Sequence, residues 1–516
     1  MKMGKRLFAG MTAAVLLAST LAGCGGGKDG APAASGGKAE QTLFLFDLVP
    51  FNEDWEVYKK AEEATNIHIK GTLSQSTSDG NTAFSLMLSS GNLADIIHTW
   101  KRNDFYKYGK EGVLIPLNDL IDKNAPNIKK FLEGREDVKK YMTAPDGNIY
   151  FIPFIPDGDA SEGWFIRQDW LDKLNLKTPE TVQELYTVLK AFREQDPNGN
   201  GKQDEVPYFN RDASANSESG INDLLCFWNG LEKNFQIIDG RVVYGPTRPE
   251  FKEAMQELSK WYAEGLIDNE IYTRGNNARD YLLGNDLGGM THDWFASTAD
   301  YNNKLTEQIP EMNFVPFAPP AGLDGVKREM ARRDRVSECG WGISSQNKDP
   351  ETAIRWMDYW FTEEGRRLMN FGIEGEDYDM VDGKPVFKDS VLHGDQSVAN
   401  YLKAKGGQGN VGFHQDFEYE RQWTNPIALK GIEAYTQNGY FQEKYPAVIL
   451  EEDEQDEYDN IMKDIEVLRD ETMQKWILGS ETVEAGYDAF MENMKKMGIE
   501  RATEIQQKAV DRYNAE

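Results

Sequence analysis

Residues 43–97 read LFLFDLVPFNEDWEVYKKAEEATNIHIKGTLSQSTSDGNTAFSLMLSSGNLADII. Leu43-Phe44-Leu45-Phe46 reads as a strand, Trp55 to Thr65 as a helix and Ile67-His68-Ile69 as a second strand. Asn81 to Ser90 reads as a further helix. Gly91 is placed to cap it, since glycine accepts a left-handed C-terminal conformation without a Cβ penalty. Ala94-Asp95-Ile96-Ile97 then returns as a strand. Strand–helix–strand alternation implies parallel sheets covered by helices, an α/β fold.

Working outward, Asp146-Gly147 sits between Tyr141-Met142 and Ile149-Tyr150-Phe151-Ile152, the pattern of a hairpin turn. Thr178-Pro179-Glu180 reads as a helix start, with Thr as N-cap, Pro at the first helical position and an acid in the first turn. That helix is expected to run to about Arg193. The last third is mainly helical in pattern, from Ala353 to Phe361 and from Asp459 to Tyr513. The acidic run from Glu451 to Glu457 suits the solvated face of a helix. No internal repeat and no Pro/Gly-rich linker divides the body, so two domains would be joined by several crossings.

The N-terminus carries an address. Lys2, Lys5 and Arg6 precede Leu7–Leu21, an apolar run too short to span a bilayer comfortably. Leu21-Ala22-Gly23-Cys24 matches a bacterial lipobox. Residues 1–23 are thus expected as a signal peptide, with lipidation at Cys24 and a flexible Gly/Ala-rich tether over 24–40 reaching roughly 20–25 Å. Two or more acyl chains give stable anchoring, which puts the folded body on the extracellular face of a cell membrane. The formal charge is −29, and removing the three basic residues of the leader takes it to −32. That balance excludes nucleic acid, whose phosphates require a basic face, and favours solubility. Cys226 and Cys339 could pair or remain buried thiols.

Asp196-Pro197-Asn198-Gly199-Asn200-Gly201-Lys202-Gln203-Asp204-Glu205 begins like a calcium loop. Oxygen side chains fall at positions 1, 3 and 5, and glycine at 6 allows the sharp turn. Lys202 would supply a backbone carbonyl and Asp204 follows at position 9. Pro207 replaces the usual closing Glu, so Glu205 would have to close the site. Hard anionic groups suit a structural calcium over zinc; the alternative is a polar Asn-Gly turn. None of the five histidines sits in HExxH, and neither GxSxG nor a credible P-loop is present. A carboxylate pair assembled by the fold could serve a glycosidase, but no motif supports an enzyme.

Several blocks carry a resemblance: Phe165 to Leu174, Thr178 to Thr181, the loop 196–205, Phe361-Thr362-Glu363-Glu364-Gly365, Gly372-Ile373-Glu374-Gly375, Asp382-Gly383-Lys384-Pro385 and the end from Met497 to Tyr513. Over nearly all of residues 41–516 the chain resembles the large lipoprotein branch of the family 1 extracellular solute-binding proteins, including the alginate-oligosaccharide-binding members. The resemblance implies a two-lobed periplasmic-binding-protein-like fold with a ligand cleft between the lobes and a helical C-terminal region. Lobe 1 is expected over about 41–160 plus 291–345, and lobe 2 over 161–290 plus 346–516. It also implies a monomeric carrier of a carbohydrate, such as an oligosaccharide, for the permease subunits of an ABC importer. A peptide or small-metabolite binder and a surface enzyme acting on polysaccharide are the alternatives.

Sugars present apolar C–H faces and a rim of hydroxyls, so loop aromatics beside polar groups are the candidates. Trp100 follows an apparent strand, where α/β clefts open. His292-Asp293-Trp294 follows Gly288-Gly289-Met290 in the same way, and Glu420 and Trp423 share one segment with Arg421 and Gln422. By resemblance, these last two segments fall where alginate-binding members line their cleft. Trp164, Trp341, Tyr150 and Asp47 complete the set, while Trp170, Trp356 and Trp360 belong to helical core faces.

Overall fold

The computed structural model describes residues 38–211 and 220–515, so the leader and Cys24 lie outside the described residues. The opening alternation forms as read, with edges shifted by a few residues. Strand β1 (Ala39–Phe44) leads to a helix over Glu56–Thr65, then β2 (Ile67–Gly71), a helix over Gly80–Ser90 and β3 (Ile96–Thr99). Val57, Tyr58 and Ala61 form the buried face of the first helix, which Asn66 ends in the left-handed conformation. Asp79 caps the second helix by accepting from the amides of Asn81 and Thr82, and Gly91 closes it at φ 65°. β1 pairs in parallel with both β2 and β3.

Later strands make both sheets mixed. They are β4 (Ile152–Pro153), β5 (Glu162–Arg167), β6 (Val206–Tyr208), the hairpin β7 (Phe235–Ile238) and β8 (Arg241–Tyr244), β9 (Gly288–Trp294), β10 (Phe314–Pro316), β11 (Gly340–Ile343) and the hairpin β12 (Tyr378–Val381) and β13 (Lys384–Phe387). The first sheet runs β2-β1-β3-β11-β4 and the second β10-β5-β9-β6. β11 is antiparallel to both neighbours, because it arrives from the other half of the molecule and not through a βαβ crossover. It slides in because it reads Gly-Trp-Gly. A Cβ at Gly340 would stand 2.3 Å from the Ile152 carbonyl oxygen, and one at Gly342 2.6 Å from that of Tyr150.

Two local expectations give way to tertiary contacts. Tyr141-Met142 belongs to a helix over Glu136–Met142; the Asp146-Gly147 turn forms, but it brings Thr143 opposite Ile149. The helix expected from Thr178 begins at Val182, capped by Thr181, whose hydroxyl accepts from the Glu184 amide. Residues 178–180 stay extended because the Ala321 amide donates to the Glu180 carbonyl and the Val182 amide to the Ala321 carbonyl.

The fold is two-lobed, each lobe around its own core. Leu43, Ile97, Phe105 and Phe151 share one core with Trp341, Trp356, Trp360 and Phe413. Phe165, Trp170, Phe192 and Phe251 share the other with Phe314, Tyr435, Trp476 and Phe490. The chain passes between cores three times among the described residues, near 156–159, 318–335 and 414–427. This differs from the expected division. Phe295, Tyr301 and Phe314 pack in the second core, and Ala353, Met357 and Met369 in the first. The cause is the sheet order: β9 and β10 flank β5, whereas β11 inserts beside β3 and brings the helix over Pro350–Tyr359 with it. Three helices, Glu452–Ile477, Val483–Met497 and Ile499–Ala515, form the C-terminal region against the second core. Cys226 and Cys339 are buried free thiols, one in each half.

Candidate functional site

A cavity of about 1000 Å³ lies where the crossings meet, walled by both lobes. The second sheet supplies one wall through strand register. Glu162 stands opposite Trp294 and Trp164 opposite His292 across β5 and β9. Alternate residues on paired strands share a face, so these four present to the cavity. Trp294, at the strand end, is 46% exposed, whereas Trp164 is buried with its ring 4.6 Å from the His292 imidazole. Asp293 lies on the opposite face. It is buried, and Arg211 Nε donates to both its oxygens at 2.9 Å.

The crossings and a small third core, in which Phe371, Tyr378, Phe387 and Tyr419 are buried, supply the rest. Glu420 and Trp423 lie on a short helix over Phe417–Trp423, and both line the cavity. The Arg333 guanidinium donates through both terminal nitrogens to the Glu420 carboxylate at 2.7 and 2.8 Å, the bidentate geometry that fixes both side chains. The Trp423 ring packs on Tyr419, and its buried indole N–H has no hydrogen-bond partner. Gln408 and Asn410 line the cavity from the first-lobe side.

The other expected residues divide by burial. Asp47 stands behind the wall: its carboxylate accepts from the Asn410 amide nitrogens at 3.2 and 2.9 Å and so holds a lining residue. Trp100 is 41% exposed and donates to the Phe46 carbonyl at 3.1 Å, outside the cavity lining. Trp341 and Tyr150 are core residues, which corrects the expectation for both. Trp341 is fully buried with its ring 4.9 Å from that of Trp356, because the alternation of β11 turns it away from its glycine neighbours. Tyr150 lies over Gly109, where a Cβ would meet its ring at 2.4 Å, and its hydroxyl donates to Asp146.

Sequence reasoning named His292 only as part of the segment His292-Asp293-Trp294 and missed the carboxylates gathered around it. His292 is 3% exposed, with Nε2 3.0 Å from Glu329 Oε1 and Nδ1 3.4 Å from Asp223 and 3.9 Å from Glu162. Burial pulls the imidazole toward neutrality, but Glu329 and Asp223 outweigh it and hold the ring charged well above its usual range. Burial pushes the Glu162 carboxyl up to about 7, against the pull of His292. Only the segment His292-Asp293-Trp294 could have flagged this cluster; Glu329, Asp223 and Arg333 carry no local motif.

The acidic loop lies elsewhere. β9 runs from Gly288 beside Val206 to Trp294 at the cavity, so the loop 196–205 sits at the far end of the sheet, roughly 20 Å from the cleft at ~3.3 Å per residue. Asp196 adopts a left-handed φ of 48° and accepts from the amides of Asn200 and Gly201 at 3.0 and 2.9 Å. Asn198 and Asn200 turn the backbone similarly, and the Asn200 side-chain amide donates to Asp204 at 2.9 Å. Glu205 is 1% exposed, and both its carboxylate oxygens lack a hydrogen-bond partner. Burial raises its pKa, and the charges of Asp196 and Asp204 add to the shift. No cluster of three or more His, Cys, Asp or Glu is gathered in metal-holding positions among the described residues. The donor types are those a hard cation takes, with amide oxygens and a backbone carbonyl beside the carboxylates, and the Glu205 oxygens are left without a hydrogen-bond partner.

A model of the bacterial extracellular solute-binding proteins matches residues 49–367. The chain belongs to this family. Fructooligosaccharide ABC transporter substrate-binding protein FusA of Streptococcus pneumoniae serotype 4 is 28% identical over 486 residues, covering 89% of this chain and 87% of FusA. A crystal structure of alginate-binding protein AlgQ2 without calcium ion aligns at a TM-score of 0.75 with 37% identity, over 92% of this chain and 98% of AlgQ2. A FusA EF-hand mutant in complex with fructo-nystose aligns at a TM-score of 0.71 with 25% identity, over 92% of this chain and 99% of that one. The family is one of solute binders.

Proposed function

We infer that this chain captures an oligosaccharide between its lobes and delivers it to the permease of an ABC importer. The observation that carries the reading is the interlobe cavity, with the indoles of Trp294 and Trp423 beside carboxylates, amides and guanidinium groups. Rings cover sugar C–H faces while the polar rim takes hydroxyls. A cavity of this size holds several hundred cubic ångströms of ligand. Similarity to FusA and AlgQ2, both described as sugar binders, points the same way. Each lobe contributes contacts only when the lobes are closed, so ligand shifts the population toward closure. A thermal-shift and intrinsic-fluorescence screen against an oligosaccharide library tests this. Stabilisation by at least one glycan without product formation is expected; no response at millimolar sugar refutes it.

Two further assignments belong to the same reading. Asp196, Asn198, Asn200, the Lys202 carbonyl, Asp204 and Glu205 hold a calcium ion that ties the helix over Val182–Glu194 to β6. Its distance from the cleft makes it a structural clip. Cys24 carries the lipid anchor and keeps the monomeric binder beside its importer on the outer face of the membrane.

A further inference from the structure

The second-lobe wall of the cleft carries more acidic groups than basic ones. Glu162, Asp223 and Glu329 face one imidazole, three acidic groups to one base, and burial raises the pKa of Asp223 as it does that of Glu162. Asp300 lines the same cavity and makes no side-chain hydrogen bond or ion pair among the described residues. The cations nearby are engaged. Arg333 is closed on Glu420, Arg211 on Asp293, Arg332 on Asp159 and Lys444 on Asp334. Lys233 is buried with a partner inside the protein. Lys403 lines the cavity without an ion pair among the described residues, one cation against several carboxylates.

One buried atom of this wall stands without a partner: Glu329 Oε2 has no hydrogen-bond partner although its side chain is 1% exposed, whereas His292 Nδ1 faces Asp223 at 3.4 Å and Glu162 at 3.9 Å. The Glu162 carboxylate makes no hydrogen bond among the described residues and keeps 19% of the side chain open. Carboxylates accept; what they lack is a donor without negative charge. A sugar hydroxyl supplies that, while a uronate would set its own carboxylate against theirs in a desolvated cleft, where like charges strongly reject a ligand.

Resting on the glycan-binding reading above, we propose that Glu162, Asp223 and Glu329, with His292 and Asp300, form a subsite for an uncharged, hydroxyl-rich sugar residue, and that this wall makes the cleft select uncharged oligosaccharides over uronate-bearing ones. Protonation of Glu162 near neutral pH adds a donor to the same wall without changing the sign of the selection.

The test is isothermal titration of the full folded domain at pH 7.5 with two probe sets. One set is inulin-, xylan- and mannan-type oligosaccharides of two to five units; the other is trigalacturonate and trimannuronate. The tightest uncharged ligand should bind at least about 100-fold more strongly than either uronate. Glu162→Gln with Asp300→Asn should narrow that gap by about tenfold, and Asp300→Asn alone, at a half-exposed position, should narrow it in part with the melting temperature kept. Uronate binding as tight as or tighter than every uncharged probe overturns the proposal, as does a gap unchanged in a folded double variant. Binding of neither set at millimolar concentration takes down the carbohydrate reading itself.

Discussion

Glu205→Gln separates a calcium clip from a polar turn. In the metal-free protein Glu205 is a buried carboxylate with two unpartnered oxygens and two acidic neighbours. Leaving such an acceptor unsatisfied costs about 1–3 kcal/mol. Glutamine keeps the shape and removes the charge, so in chelator the variant should melt higher than wild type, by roughly 1–3 °C on the usual scaling of stability to melting temperature. Calcium should act the other way. At a free concentration about 100 times its Kd it adds about 2.7 kcal/mol to wild type, and little or nothing to the variant, which lacks the closing carboxylate. The two melting curves should therefore cross in order between chelator and calcium. The pH dependence has a definite sign. The folded-state pKa of Glu205 is raised, so its contribution is favourable below its unfolded value of 4.5 and is lost as pH rises through the folded value. Calcium should erase that loss. Scanning fluorimetry in chelator and in calcium at about 100 times its Kd measures both effects. A variant that keeps the full calcium increment, or that melts below wild type in chelator, refutes the reasoning.

Trp423→Ala should weaken the best glycan by roughly 1–2 kcal/mol, about 5–30-fold in Kd, with little change in melting temperature, because its ring lines the cleft. Trp341→Ala should do the reverse: about 3–5 kcal/mol of stability lost from a fully buried ring, with binding following only the folded fraction. Urea unfolding beside titration distinguishes the two. Glu162, held up to about 7 by burial, makes the protein less stable as pH rises from 4.5 to about 7; Glu162→Gln should flatten that limb in melts between pH 4 and 8, and an unchanged limb would place the titration elsewhere. Cys24→Ser should shift the protein from the membrane fraction to the medium, read by fractionation and immunoblot; retention on the membrane would count against the anchor.

How far the sequence reached depended on the range of the interaction. The opening strands and helices were legible because their signals are local: the buried stripe of Val57, Tyr58 and Ala61, the Asp79 cap and the Gly91 stop lie within the elements they define. The loop 196–205 was legible for the same reason, since its oxygen donors follow one another along a single turn. Thr178 failed as a helix cap because the backbone of Ala321, far along the chain, holds residues 178–180 extended.

The cleft shows the same divide. Its aromatics were half visible: Trp294 and Trp423 line the cavity, but Trp341 looks no different in sequence and is core. The alternation of β11 and its neighbours Gly340 and Gly342 decide that, and they act only once β3 and β4 are in place. By itself the sequence determined the α/β class, the family blocks and the turn-forming pattern of the loop 196–205. Only the tertiary structure decided where the chain crosses between lobes, and that His292 from β9, Asp223, Glu329 and Glu162 meet at one wall. Local elements are specified by neighbours within a few residues. A binding wall is specified by register and burial among segments separated by a hundred residues or more, which no local pattern records.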